Sequence, residues 1–378
     1  MTTRYGITPC VKVNGIQHRS IWADPEQGLA WIIDQTRLPH TFATHAMSSL
    51  DDAAEAIRTM QVRGAPLIGA TAAYGIALAM TFDPRDAHLD FACTELAATR
   101  PTAINLRWAI ERMRGVLARI AIDSRVEAAW REAANIADED VEINRAIGAH
   151  GAPLLAALQQ RAGRTLNVMT HCNAGWLATV DWGTATAPIY TLERERTPLH
   201  VWVSETRPRN QGLLTAWELR EQGVLHTVIA DNAAGHLLQR GKVDVVIVGA
   251  DRVTRRGDVC NKIGTYLKAL AARESGVPFY VATPGPTIDW TIDDGCAGIP
   301  IEERGGDEVR MVHGVGARGD PCPVRVLGAS SPVANPAFDV TPAALVTGLI
   351  TERGVCAASA EALAELYGKR SADEPGAS

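Results

Sequence analysis

The sequence predicts an α/β protein: a doubly wound parallel sheet in the second half, behind a smaller, mainly helical N-terminal domain carrying a short β-sheet. Three observations predict it. Beyond residue 160, five short apolar runs alternate with helix-length segments, the rhythm of strands joined by crossover helices. Before residue 150, an opening of alternating apolar and polar residues gives way to helical spacing. The 378 residues suffice for two domains, expected at 1–148 and 149–368, with 369–378 as a flexible tail.

In chain order, "CVKVNGIQHRSIW" reads as a tight hairpin turning at Asn14-Gly15, and "LAWIIDQTRLP" as a third strand. "SLDDAAEAIRTM" begins with capping residues and continues at helical spacing. Further helices are expected over 66–82, 102–119 and roughly 125–147. "GAHGAP" and "RAGR" then break the rhythm. The apolar runs "TLNVMT", "HVWVSE", "HTVIAD", "VDVVIVGAD" and "PFYVATP" follow as strands, with "LLTAWELREQG" and "AAGHLLQRG" as helices among them. The Gly/Pro-rich stretch 295–336 reads as irregular, and "KRSADEPGAS" as a frayed end.

Composition narrows the function. A hydrophobic share of 46% and a mean hydropathy of -0.03 are those of a soluble globular protein. No apolar run is counted as approaching the roughly 18 residues that cross a membrane. The start, "MTTRYGITPCVKVNG", lacks the basic and apolar regions of a signal peptide. A formal charge of -6 argues against a nucleic-acid surface but leaves room for a local basic pocket. The cysteines at 10, 93, 172, 260, 296, 322 and 356 are odd in number and form no CxxC, which suits free thiols in a reducing cytoplasm. With no HxxxH pair either, neither a metal nor a cofactor is expected.

Ligands of a parallel sheet bind outside the carboxyl ends of its strands. Here those ends carry Thr170-His171-Cys172, Glu205-Thr206-Arg207, Asp231-Asn232, Asp251-Arg252 and Thr283. Any one of these polar groups is open to a simpler reading as a helix cap. Cys172, in "MTHCNAGWLAT", is either a small buried hydrophobe or a thiol placed for chemistry. Its position after a strand, ahead of "NAG", favours a loop whose amides face a ligand, and a thiol at a helix start is acidified. His171 reads as a local hydrogen-bonding partner, since adjacent side chains diverge.

In "VRGAPLIGATAAYG", Pro66 suits the first turn of a helix whose free N–H groups, with Arg63 before them, are a site for an anion. "TRPTAINLRWAIERM" offers Arg100 as a second anion contact and Arg107 as a surface residue. In "GADRVTRRGDVCNKIGTY", Asp251 ends an apolar strand, and Asn261-Lys262 suit a sugar hydroxyl or a phosphate. Packed helix and solvated turn are the structural alternatives.

Together these segments resemble the methylthioribose-1-phosphate isomerases of methionine salvage. The resemblance is carried by "IDQTRLP", "VRGAPLIGATAAYG", "RPTAINLRWAIERM", "THCNAG", "ETRPRNQG", "TAWEL", "VIVGADRVTRRGDVCNKIGTY", "IPIEER" and "NPAFDVTP", in the family's order from about residue 20 to 355. It implies a Rossmann-like C-terminal domain, a homodimer, and an aldose–ketose isomerase working on a sugar phosphate. It further implies Cys172 and Asp251 as catalytic residues, with Arg63, Gly64, Ala65, Arg100, Gln211, Asn261 and Lys262 contacting substrate. Two departures stand out: only Leu213 and Leu214 separate "ETRPRNQG" from "TAWEL", where the family has three residues, and Cys260 replaces a usual alanine. The same superfamily includes ribose-1,5-bisphosphate isomerases and regulatory subunits of a translation-initiation exchange factor. Turnover of 5-deoxyribose 1-phosphate or ribose 1,5-bisphosphate, or a non-catalytic regulatory role, therefore stand as rival readings.

Overall fold

Residues 10–368 are described by the computed structural model; the tail expected over 369–378 lies outside them. Strands β1 (Val11–Val13) and β2 (Ile16–His18) form the expected hairpin, with Asn14 and Gly15 both at positive φ, 51° and 79°. Strands β3 (Ile21–Asp24), β4 (Leu29–Ile33) and β5 (Thr44–Met47) make a three-stranded antiparallel sheet. "LAWII" is thus the fourth strand rather than the third. The strand before it shows no clean inside–outside alternation and leaves little periodic signal.

Helices α1 (Leu50–Arg58), α2 (Ala65–Phe82), α3 (Asp86–Thr99), α4 (Ile104–Leu117) and α5 (Ile122–Ala162) follow. Ser49 caps α1, its hydroxyl accepting from the Asp52 N–H at 3.1 Å. Helix α2 corrects the count of apolar runs: its 18 uncharged residues are long and apolar enough to cross a membrane by length and composition alone. Within the protein it is a core helix, with 83% of those residues buried. It packs on α1, α3, α4 and α5, which take up its apolar surface on all sides.

Helix α3 escapes the sequence because it buries only four positions, Leu89, Ala92, Cys93 and Leu96, two of them small. Helix α5 runs straight through "GAHGAP", so the boundary expected between 148 and 149 falls inside one continuous helix. Its glycines serve packing instead of breaking: a Cβ on Gly151 would lie 2.5 Å from Pro188 Cγ.

The remaining elements are β6 (Leu166–His171), α6 (Ala187–Arg194), β7 (Leu199–Ser204), α7 (Gly212–Glu221), β8 (His226–Ile229), α8 (Ala233–Gln239) and β9 (Val245–Val248). Then come β10 (Arg252–Thr254), β11 (Val259–Lys262), α9 (Thr265–Glu274), β12 (Phe279–Ala282) and β13 (Ile288–Asp289). The stretch expected to be irregular holds two single-turn helices, α10 (Gly295–Gly298) and α11 (Asp307–Arg310), and a largely exposed hairpin of β14 (Met311–Val315) and β15 (Pro321–Arg325). The chain closes with β16 (Phe338–Thr341), β17 (Gly348–Thr351), β18 (Gly354–Cys356) and α12 (Ala360–Tyr367).

All five apolar runs lie in one seven-stranded sheet of order β18-β17-β12-β9-β6-β7-β8, parallel except for β18. The fold class expected from the sequence is the one observed. A four-stranded sheet of order β13-β10-β11-β16 stands beyond the ends of β9 and β12.

Candidate active site

Strands β6 and β9 are neighbours and mark the point where the sheet changes direction. From β6 the chain moves outward through β7 and β8, then returns to β9 and moves the other way through β12 and β17. Open parallel sheets bind ligands at such a point, beyond the carboxyl ends. Cys172 is the residue after β6, and Asp251 stands three residues after β9. Both line one cavity, walled by these strand ends, β11 and the start of α2.

The turn at Cys172 takes φ of 63°, a left-handed conformation that side chains with a Cβ adopt at a cost. Two threonines hold it: the Cys172 N–H donates to Thr206 Oγ1 at 2.8 Å, and its carbonyl accepts from Thr215 Oγ1 at 2.8 Å. Burial pushes the thiol above its ordinary pKa, while Arg63 and Lys262 pull it back. Acidification at a helix start does not describe this cysteine, because a loop follows it and desolvation outweighs the cations. Asp251 is likewise raised by desolvation, against Lys262, Arg63 and Arg100.

Arg63, Gly64 and Ala65 bring the start of α2 to the same cavity. Gly64 has φ of 92°, and a Cβ there would lie 2.4 Å from Ala178 Cα, so only glycine lets α2 approach the loop after Cys172. Arg63 spans that contact. One guanidinium nitrogen donates to the Asn173 carbonyl at 2.8 Å and another to Asn173 Oδ1. The Asn173 amide in turn donates to Glu218 Oε1 at 2.7 Å. Glu218 is fully buried and also accepts from the Trp176 and Leu177 N–H groups, at 3.1 and 2.9 Å, and from the Tyr190 hydroxyl at 3.1 Å. Burial pushes its carboxyl up to about 7. The site loop thus rests on a carboxylate that the sequence marked only as part of "TAWEL".

Asn261 and Lys262 close β11. Asn261 Nδ2 donates to Thr265 Oγ1 at 3.0 Å, and Lys262 Nζ donates to the Ala337 carbonyl at 3.0 Å while lying 4.2 Å above the Phe338 ring. Burial lowers the lysine's pKa. Gln211 directly precedes α7 and is buried, and its Oε1 has no hydrogen-bond partner among the described residues. The shortened loop after it therefore leaves it in the cavity wall. Arg100 follows α3 and pairs with Glu302 at 3.2 Å. Cys260 also lines the cavity, buried, its thiol pushed up to about 12 by desolvation.

The nine residues expected from the sequence therefore meet in one place. Of the other strand-end groups, Arg252 reaches it and the rest do not. His171 places Nε2 2.8 Å from the Ile263 carbonyl, and burial holds its pKa well below the ordinary value. Asp231 accepts from the Thr206 and Arg207 N–H groups at 2.8 and 2.7 Å, tying down the loop after β7. Glu205, Asn232 and Thr283 lie outside the lining, as does the exposed Arg107. Arg304, and the apolar group Met60, Ile68, Ile299, Pro300 and Phe338, line the cavity unannounced. Arg304 lies in "IPIEER", a charged run that carries no period to say which way it faces. The lining sets five cations, Arg63, Arg100, Arg252, Lys262 and Arg304, against one carboxylate, Asp251, in a chain of net charge -6. Among the described residues no group of three or more His, Cys, Asp or Glu is arranged to hold a metal ion.

Residues 61–358 match the model of the initiation factor 2 subunit family. A methylthioribose-1-phosphate isomerase of Rhodospirillum rubrum is 60% identical over 367 residues, 95% of this chain and 94% of the relative. Among solved structures, 5-methylthioribose 1-phosphate isomerase from Pyrococcus horikoshii matches with a TM-score of 0.81 and 39% identity, over 94% of this chain and 96% of that one. The translation initiation factor eIF-2B subunit delta from A. fulgidus matches with a TM-score of 0.76 and 40% identity, over 93% and 99%.

Proposed function

The chain belongs to the initiation factor 2 subunit family and, within it, to the methylthioribose-1-phosphate isomerases, and on that footing we propose how its site works. The protein is an aldose–ketose isomerase that converts 5-methylthioribose 1-phosphate to 5-methylthioribulose 1-phosphate in methionine salvage. The observation that carries the reading of the site is the pairing of Cys172 and Asp251 at the ends of adjacent strands, inside a cavity lined by five cations.

The chemistry requires such a pair. Phosphate on the anomeric oxygen blocks the usual opening of a sugar ring to an aldehyde, so the ring C1–O bond must break with the phosphate still attached. A proton must reach the ring oxygen, and hydrogen must pass from C2 to C1. Asp251, kept protonated to higher pH by desolvation, supplies the proton as general acid. Cys172 works at C1 and C2, as base toward the C2 hydrogen or as support for the cation across which hydride shifts. Arg63, Arg100 and the first-turn amides of α2 bind the phosphate. Gln211, Asn261 and Lys262 hold sugar oxygens, and the apolar group around Met60 and Phe338 suits a methylthio substituent better than a second phosphate.

The name borne by the A. fulgidus structure favours a second reading, a regulatory subunit without catalysis. Turnover separates the two. Purified protein is expected to isomerise 5-methylthioribose 1-phosphate without added metal or nucleotide, and faster than 5-deoxyribose 1-phosphate or ribose 1,5-bisphosphate. No turnover of any of the three would favour the regulatory reading. The protein acts as a homodimer, as the family resemblance implies, and in the cytoplasm, where its seven free cysteines persist as thiols.

Arg63→Ala and Arg100→Ala should each weaken transition-state binding by about 2–5 kcal/mol, the range for unpairing a buried charge, read from kcat/KM. Arg107→Ala, outside the cavity, should stay near wild type. Equal kinetics in all three variants would remove the phosphate assignment.

A further inference from the structure

The segment from Ile299 to Arg310 lends Ile299, Pro300 and Arg304 to the cavity wall and carries arginine–carboxylate contacts that the isomerase reading leaves unused. Arg304 is nearly buried, 11% exposed, and lines the same cavity as Cys172 and Asp251. Its guanidinium meets Glu308 at 3.0 Å, Met60 Sδ at 3.2 Å and Glu302 at 3.8 Å. Glu302 also holds Arg100 at 3.2 Å. One carboxylate, on a residue 27% exposed, therefore stands between two arginines of the cavity wall.

Like charges stand close together here, beside their carboxylate partners. Arg304 lies close enough to Lys262 and Arg100 for their charges to act on one another, and Arg63 acts on Lys262 in the same way. Glu308 is committed elsewhere: it also accepts from Arg209 at 2.9 Å and Asn335 at 3.1 Å, which fixes α11 and the Arg304 side chain from behind. Among the described residues the Glu302 carboxylate has no such second anchor and meets only Arg100 and Arg304.

We propose that Arg304 is a further phosphate-binding residue of this site, and that Glu302 is a built-in competitor that occupies Arg100 and Arg304 until the substrate's phosphate displaces it. A dianionic phosphate offers more acceptor oxygens than one carboxylate and satisfies both forks at once. The inference rests on the isomerase reading for the identity of the substrate, but not for the binding of phosphate itself.

Inorganic phosphate is the probe, titrated by calorimetry into wild type, Arg304→Ala, Arg304→Lys and Glu302→Gln, with KM for 5-methylthioribose 1-phosphate measured alongside. Arg304→Ala should weaken phosphate binding and raise KM by about 10-fold or more, as expected for one charge-assisted contact, with a much smaller change in kcat. Arg304→Lys should fall between, and it preserves the test if the alanine variant does not fold. Glu302→Gln should tighten phosphate binding, because the competing charge is gone. Unchanged phosphate affinity in folded Arg304→Ala or Arg304→Lys overturns the assignment, and weaker binding in Glu302→Gln overturns the competitor role. Phosphate binding that follows this order in a protein without isomerase turnover upholds the arginine assignment and removes the substrate reading alone.

Discussion

Cys172→Ser and Asp251→Asn should each fold as wild type does and each lose kcat by about 10²–10⁴-fold, the worth of a positioned acid or base. Both substitutions are close in size to the residues they replace, so the turn held by Thr206 and Thr215 survives them. The double variant loses far less than the product of the single losses, because two groups serving one chemical step are not additive. The rate of isomerisation in the four proteins, with folding checked by circular dichroism, makes the comparison. Near-normal kcat in Cys172→Ser would return that thiol to the role of a small hydrophobe at a strand end. Substrate deuterated at C2 then reports the route: label lost to solvent signals proton abstraction by a base, and full transfer to C1 signals hydride migration or a base shielded from water.

Glu218→Ala should destabilise the protein by about 3 kcal/mol or more, since it strands buried donors that each cost roughly 1–3 kcal/mol when unpaired. Those donors are the Asn173 amide, the Trp176 and Leu177 N–H groups and the Tyr190 hydroxyl. Urea unfolding measures the loss, and a value below about 1 kcal/mol would show that the loop does not rest on this carboxylate. The pH dependence gives a second check. Glu218 has a folded-state pKa of about 7 against an ordinary 4.5, so between those values the native state keeps a proton that the unfolded chain releases. Its contribution makes stability fall as pH rises through that window. Asp140 and Asp181, raised to about 7 and about 6 by burial, act in the same direction. Glu218→Gln should therefore retain a decline with pH, but a shallower one than wild type.

The parallel sheet was legible because its strands are short, largely apolar and most of them spaced by helices, and its central strands are buried on both faces. The nine site residues were legible for a different reason. Each stands at a strand end or a helix start, where polar groups interrupt an apolar pattern, and an ordered set of motifs resembling one family covered nearly the whole chain. Helix α3, the strand Ile21–Asp24 and the continuation of α5 were not legible. Small buried residues give weak periodicity, and Gly148, Gly151 and Pro153 look like breakers until α6 is seen packed against the two glycines.

By itself, then, the sequence determined the fold class, the placing of Cys172 and Asp251 at strand ends, and the residues around them, because these follow from local pattern and motif. Only the tertiary structure decided that β6 and β9 are neighbours at the switch of the sheet, that Glu218 carries the loop after Cys172, and that Arg304 turns inward beside Arg100. Those facts join residues from 41 to more than 200 positions apart. A charge or a buried acceptor acquires its role from the groups that surround it in space, and no periodicity along the chain records that company.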